Sequence, residues 1–276
     1  SISSREKPKK WITHAGEFLP MGWKMLKRRI IPVELLYKGR LIKTVKFDKF
    51  RDVGDPLKSS QVYSDQDADE LILLNVDRNN RYVQETAGYL SKITKKCFMP
   101  IAVGGGINTI KDAQLLFNSG ADKVVINTAA YSNTQLLTEI ISRWGGQSLI
   151  VSIDIFQLPD KQYVVKSECG MKHEKIGLIE HIKSMGNIGV GEIMINSINN
   201  DGTMNGYDLI LLGSILNECS MPLIICGGAG SFIDLKEALE MGVSAVACGS
   251  LFNFGDNNPI RAKAFLKNYN MPLKRI

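Results

Sequence analysis

The feature that most restricts how this chain can fold is a repeat. Pro100 to Ala130, PIAVGGGINTIKDAQLLFNSGADKVVINTAA, reads as a strand, a glycine turn, a helix and a second strand, and Pro222 to Leu251, PLIICGGAGSFIDLKEALEMGVSAVACGSL, repeats it. Setting Gly105 and Gly106 on Gly227 and Gly228 also sets Gly120 on Gly242, Val124 on Val246 and Thr128 on Ser250. A chain that repeats half of itself in βα units is expected to close into an α/β (β/α)8 TIM barrel with an internal half-barrel repeat.

The two copies also share chemistry. In each, a buried apolar strand ends in adjacent glycines, whose missing side chains let backbone N–H groups face a ligand, and such groups suit an anion. The second strand of each copy ends in a small polar pair, Asn127-Thr128 and Gly249-Ser250, which adds donors for the same oxyanion. Two such pockets on one rim imply a phosphorylated small molecule with two phosphates. The plainer reading, in which the glycines only permit tight turns, stays open beside it.

A barrel needs about 250 residues, and 276 residues with 44% hydrophobic content supply one without a second domain. Residues 25–276 are expected to form that single barrel, with Met25 as the native start. Residues 1–24 lack periodicity and any long apolar run, and read as a disordered extension or tag rather than a signal peptide. The net charge is +6, but the basic residues are scattered apart from KPKK and KMLKRR near the start. That pattern attracts anionic metabolites and carries no nucleic-acid signature. Apolar runs are strand-sized, so no membrane span is expected. Five cysteines without a CxxC pair point to a reducing, cytoplasmic location. Cys226 and Cys248 fall in strands, where a small apolar side chain is the ordinary role. His14, His173 and His181 lack metal-ligand spacing, so neither a metal nor a cofactor is expected.

In chain order, a first strand over Arg29 to Leu36 leads into LIKTVKFDKF, an alternating stretch suited to a hairpin over the barrel mouth, then a loop, RDVGDP, and a helix from Leu57. A second strand covers Leu71 to Val76 and its helix Arg81 to Lys95. Beyond the first repeat copy come a helix over Asn133 to Trp144, a strand over Ser148 to Asp154 and a second hairpin at Gln162 to Lys166. A helix over Ile176 to Met185 and a strand over Glu192 to Asn196 precede the polar loop Ser197 to Gly206, which a barrel places on its catalytic face. Asp208 caps the next helix, and the last two follow Ser231 and Asn258.

From Met25 onward the sequence resembles the cyclase subunit of imidazole glycerol phosphate synthase, a (β/α)8 barrel of histidine biosynthesis. RRIIP, GRLIK, RDVGDP, ADELILL, VGGGI, GADKVVINTAA, SIDI, GEIMINSINNDGTMNGYD and CGGAG occur in that family's order and spacing. The resemblance implies a diphosphate-bearing substrate and a glutaminase subunit on the N-terminal face that supplies ammonia. By motif, Gly105, Gly106, Asn127 and Thr128 form one phosphate site, and Asp201, Gly202, Thr203, Gly227, Gly228, Gly249 and Ser250 line the other side.

In that family two aspartates, at the ends of strands one and five, serve as acid and base for ring closure. Asp154 supplies the second; Leu35 stands at the place of the first, and leucine exchanges no proton. Asn75 likewise stands where an aspartate is usual. Glu34 points out of the barrel by strand alternation and is a poor substitute for the missing acid. At the other end, Arg29, Glu70, Lys123 and Glu192 occupy the family's charged ammonia gate. Such a ring satisfies itself by mutual pairing; the alternative is ordinary surface charge at strand starts.

A retained gate beside a lost acid resembles the paralogous branch of surface-polysaccharide pathways. There a barrel and a glutaminase feed ammonia to a separate enzyme that amidates an N-acetyl sugar of lipopolysaccharide O-antigen. Two other readings stay open: a working histidine-pathway lyase in which Asp154 acts with Asp201 or Glu34, and a non-catalytic scaffold that binds a phosphorylated metabolite or a protein.

Overall fold

The computed structural model describes residues 27–79 and 82–274. The expectations for residues 1–24, for Met25 and for a helix opening at Arg81 lie outside them. The strands are β1 (Arg29–Tyr37), β2 (Arg40–Val45), β3 (Asp48–Gly54), β4 (Leu71–Asn75), β5 (Ile101–Gly104), β6 (Lys123–Ile126), β7 (Leu149–Gln157), β8 (Tyr163–Ser167), β9 (Lys172–His173), β10 (Glu192–Ser197), β11 (Leu223–Cys226) and β12 (Ala245–Cys248). The helices are α1 (Pro56–Asp65), α2 (Val83–Ile93), α3 (Ile110–Asn118), α4 (Ala129–Ser132), α5 (Thr134–Trp144), α6 (Leu178–Ile188), α7 (Leu209–Ile215), α8 (Phe232–Met241), α9 (Ser250–Asn253) and α10 (Pro259–Lys267).

Eight strands pair in parallel in the order β1, β4, β5, β6, β7, β10, β11, β12, and β12 pairs back onto β1, so the sheet closes. Closure leaves no edge on these eight strands, and helices cover the outside, which is why the strands are apolar on both faces. The remaining four strands form the two expected hairpins, β2–β3 after β1 and β8–β9 after β7.

The repeat extends to the helix starts. Thr109 opens α3 in a capping box with Asp112, and Ser231 opens α8 in a capping box with Asp234. In each box the hydroxyl takes one orphan N–H and the carboxylate reaches back to another, which fixes the helix start relative to the glycine turn before it. Asp208 and Asn258 cap α7 and α10 as expected.

Three expectations differ in detail. RDVG, read as a loop, lies in β3, a solvent-exposed strand whose pairing with β2 slips at Leu41/Ile42 and Lys43/Val45, so no clean alternation marks it. The fifth barrel strand, β7, continues past Asp154 to Gln157 because it runs on to pair with β8. The helix placed over Ile176 to Met185 is α6, which starts at Leu178 and ends at Ile188.

Candidate functional site

Successive side chains on a strand face opposite ways, so the inner lining of the barrel follows from counting by two. From Arg29 at the start of β1 the inner residues are Ile31, Val33 and Leu35; from Glu70 before β4, Ile72 and Leu74; from Lys123, Val125 and Asn127; from Glu192, Met194 and Asn196. The apolar members of this set, with Ala102, Ile150, Ile224, Cys226, Ala245 and Ala247, form one cluster separate from the larger core under the helices. The bore is therefore lined mainly by apolar side chains between a charged base and a polar mouth.

At the base all four predicted gate residues meet. Arg29 donates to Glu70 at 2.7 Å and pairs closely with Glu192, while Lys123 reaches Glu70 at 3.0 Å and Glu192 at 2.5 Å. Each cation bridges both carboxylates, so the charge closes on itself. Burial opposes ionisation of Glu192, but Arg29 and then Lys123 outweigh it and hold its carboxyl below the usual range. Glu70 Oε1 is buried with no partner among the described residues.

At the mouth, the C-terminal strand ends surround a cavity of about 500 Å³. Of the predicted phosphate residues, Gly105, Gly106, Asn127, Thr128, Asp201, Gly202, Gly227, Gly228, Gly249 and Ser250 line it. Thr203 is not among the lining residues: its backbone N–H and hydroxyl both donate to the Asn200 carbonyl, at 3.0 and 2.8 Å, holding a turn. The paired glycines all have left-handed φ, from +79° to +115°. A Cβ on Gly105 would strike the Asn75 carbonyl, and one on Gly228 the Gly206 carbonyl. The turn geometry thus demands glycine here, whatever else these N–H groups do.

Asp154 ends the inner face of β7, on the strand diametrically opposite β1 in the closed order, and Leu35 lines the same cavity from that side. Asn127 donates to Asp154 at 2.9 Å and Asn196 at 3.5 Å. Burial pushes the Asp154 carboxyl up to about 7; the two amides pull it back and the charge of Asp201 adds to the rise. A group poised there can hold or release a proton near neutrality. Asn127, expected in a phosphate site, lines the cavity and donates a side-chain amide N–H to Asp154, which the β6–β7 register brings near it.

Two other carboxyl groups bear on the chemistry. Asp201 accepts from Thr44 Oγ1 at 2.6 Å and from the Phe47 N–H at 3.2 Å, so it ties the β2–β3 hairpin to the loop after β10. Glu34 faces outward, as alternation requires, and accepts from Ser60 at 2.9 Å against α1. Asn75 is committed to a turn, donating to Thr86 and accepting from the Asp77 N–H.

Lys43, on β2, escaped the motif reading. It is buried, its ammonium donates to the Val33 carbonyl, and it sits against Gly249 with no carboxylate in salt-bridge range among the described residues. Burial lowers its pKa. The signal was a lone lysine between the apolar residues of GRLIK and the open hairpin. Burial also pushes the Cys226 thiol up to about 12, which keeps it inert.

Glycine turns and a buried aspartate above an apolar bore, with a charged ring below, define a closed (β/α)8 barrel with two chemically distinct ends. A family model described as "Histidine biosynthesis protein" matches residues 29–258, and the chain belongs to that family. It is 40% identical over 231 residues, 83% of this chain and 92% of the relative, to a Pseudomonas aeruginosa protein provisionally named imidazole glycerol phosphate synthase subunit hisF2. It is 35% identical over 246 residues, 89% of this chain and 98% of the relative, to "Imidazole glycerol phosphate synthase subunit HisF" of Streptomyces griseus. The protein of the same name from Exiguobacterium is 34% identical over 250 residues, 91% of this chain and 97% of the relative. The matches thus span the HisF family and a paralogous hisF2 branch.

Proposed function

We propose that this chain is the barrel subunit of a glutamine-dependent amidotransferase, conducting ammonia from a glutaminase at the base to an acceptor at the mouth. The observation that carries the reading is the asymmetry of the two ends: the four-charge base is complete, whereas the proton-handling pair at the mouth has one member, Asp154, facing Leu35 and Leu74. Ammonia is small and neutral and loses little on entering an apolar bore, whereas ammonium carries the cost of desolvating a charge. The unpartnered Glu70 Oε1 offers an acceptor to an entering N–H.

Losing one positioned acid or base costs about 10²- to 10⁴-fold in rate, so ring closure is not the favoured outcome. The acceptor is an N-acetyl sugar of surface polysaccharide, amidated by a separate enzyme. Residues 25–276 act as one barrel. Lys43 and the glycine turns hold a phosphorylated small molecule at the mouth, and the basic balance of the chain steers it there.

The test is to co-express the chain with its glutaminase and the sugar-amidating enzyme and to supply glutamine labelled at the amide nitrogen. Label is expected in the sugar's amidino group. Label instead in an imidazole ring, formed at high turnover from the histidine-pathway intermediate, sinks the proposal. That second outcome is favoured by one observation, the presence of Asp201 in the same cavity as Asp154.

A further inference from the structure

Most of the large apolar side chains exposed among the described residues lie at one end of the barrel, the mouth. Val45, Phe50 and Met171 stand at the tips of the two hairpins, β2–β3 and β8–β9. Ile210, Ile233 and Ile260, 80%, 55% and 45% exposed, are each the second residue of an outer helix, α7, α8 and α10. Helix starts in a (β/α)8 barrel lie at the mouth end. Because α8 packs against both α7 and α10, the three isoleucines form a row at one level. Single exposed apolar residues need no explanation, whereas a set gathered around one opening marks an interaction surface.

The hairpin tips form one platform. Arg78 donates to the Cys169 carbonyl at 3.1 Å and to the Phe47 carbonyl at 3.5 Å, one from each tip. The Phe47 ring lies over Gly170, where a Cβ would come within 3.2 Å of it. Lys46, Phe47, Lys49, Glu168 and Cys169 all hold left-handed φ, from +40° to +61°. Strain of that kind gathers at functional surfaces, and a surface already in its bound shape loses less freedom on docking. The first tip is also basic. Lys46, Lys49 and Arg51 are exposed there against Asp48, while Asp52 is already paired with Arg40 at 2.9 Å.

The isoleucine row lies outside the cavity lining, so a metabolite held in the cavity does not account for it. A second copy of the chain would bring the same lysines, whereas an acidic surface complements them. The ammonia-conducting reading supplies the occupant. Ammonia that leaves the bore into water at neutral pH takes up a proton, and ammonium has no lone pair left to attack an acceptor. An acceptor held by another protein is therefore reached efficiently only if that protein closes over the mouth. We infer that this crown is the docking surface of the enzyme that uses the ammonia, a separate protein presenting an apolar collar inside an acidic rim. The inference rests on the ammonia-conducting reading and adds to it a direct, sealed hand-over.

Ile210→Asp/Ile233→Asp tests it. Both acids fall in the first turn of a helix, where the macrodipole favours them, so the fold is kept, and an unchanged Tm checks this. The chain is combined with its glutaminase, the sugar-amidating enzyme and amide-labelled glutamine. Parallel samples contain glutamate dehydrogenase, 2-oxoglutarate and NADPH, which remove ammonium from bulk water. Wild type is expected to label the sugar equally with and without this trap. The double variant should hydrolyse glutamine as wild type does, yet lose label about tenfold or more when the trap is present, as loss of apolar anchors weakens association. Wild-type label that falls with the trap as far as the variant's overturns the docking surface and leaves the conduit standing. No label in the sugar even without the trap overturns the conduit reading, and this inference with it. Sedimentation showing a wild-type dimer that the double variant loses assigns the row to a second copy and overturns the inference as well.

Discussion

Replacing Leu35 with aspartate tests the central asymmetry directly. The new carboxyl would enter the cavity opposite Asp154, on the inner face of β1, where Leu35 now lines the mouth. If Leu35 is what separates this chain from a ring-closing enzyme, Leu35→Asp should raise ammonium-dependent ring closure of the histidine-pathway intermediate by about 10²- to 10⁴-fold, the usual worth of one positioned acid or base. The same change costs stability, because part of a leucine's burial is lost, about 1.5–3 kcal/mol when complete. The incoming carboxyl also meets Asp154, whose own carboxyl is already pushed up to about 7. A total loss of about 2–4 kcal/mol, or a Tm lower by about 5–10 °C, follows for a domain of this size. The assay is imidazole formation from the purified intermediate and ammonium chloride, with wild type and Leu35→Asp/Asp154→Asn alongside. The double variant should fall back to the wild-type rate. Wild type turning over as fast as Leu35→Asp would refute the reasoning, since position 35 would then not be where a needed proton carrier is missing.

Two further perturbations address the base and the barrel wall. Arg29→Met leaves Glu70 and Glu192 sharing Lys123; breaking a buried pair costs about 3–5 kcal/mol, toward the lower end here because Arg29 retains 18% side-chain exposure. Transfer of labelled nitrogen from glutamine should fall in that variant while transfer from added ammonium chloride persists, and equal loss of both would argue against a gate. Glu34 has a carboxyl raised from 4.5 to about 7, chiefly by burial. The folded state therefore holds a proton that the unfolded state releases, and stability falls as pH rises through that window, by up to about 3 kcal/mol at 1.36 kcal/mol per unit. Glu34→Gln should flatten the decline in denaturant midpoint between pH 5 and 8, and a slope matching wild type would show the side chain to be hydrated.

What could be read from the sequence was whatever depends on period and position along one strand. Counting by two from Arg29 reaches Ile31, Val33 and Leu35, and the same count puts Glu34 against α1, where it lies. The charged ring was legible for that reason: four charges at strand starts all point inward at one level. The mouth was harder because its contacts run between strands. Nothing local to Asn127 says that its amide will be used by Asp154, nor does anything near Thr203 show its hydroxyl turned onto the Asn200 carbonyl. Lys43 was missed because only the fold of the hairpin decides whether its ammonium meets solvent or the cavity.

The length of β1 has a practical corollary. Leu35 lies six residue steps beyond Arg29, a rise of about 20 Å, with a mostly apolar lining in between. The two ends of the barrel are thus separable: an exchange of the strand-end loops above would leave the charged ring below in place. If the chain conducts ammonia as proposed, grafting the upper loops of a ring-making homologue onto this lower half is expected to direct that nitrogen to a different acceptor.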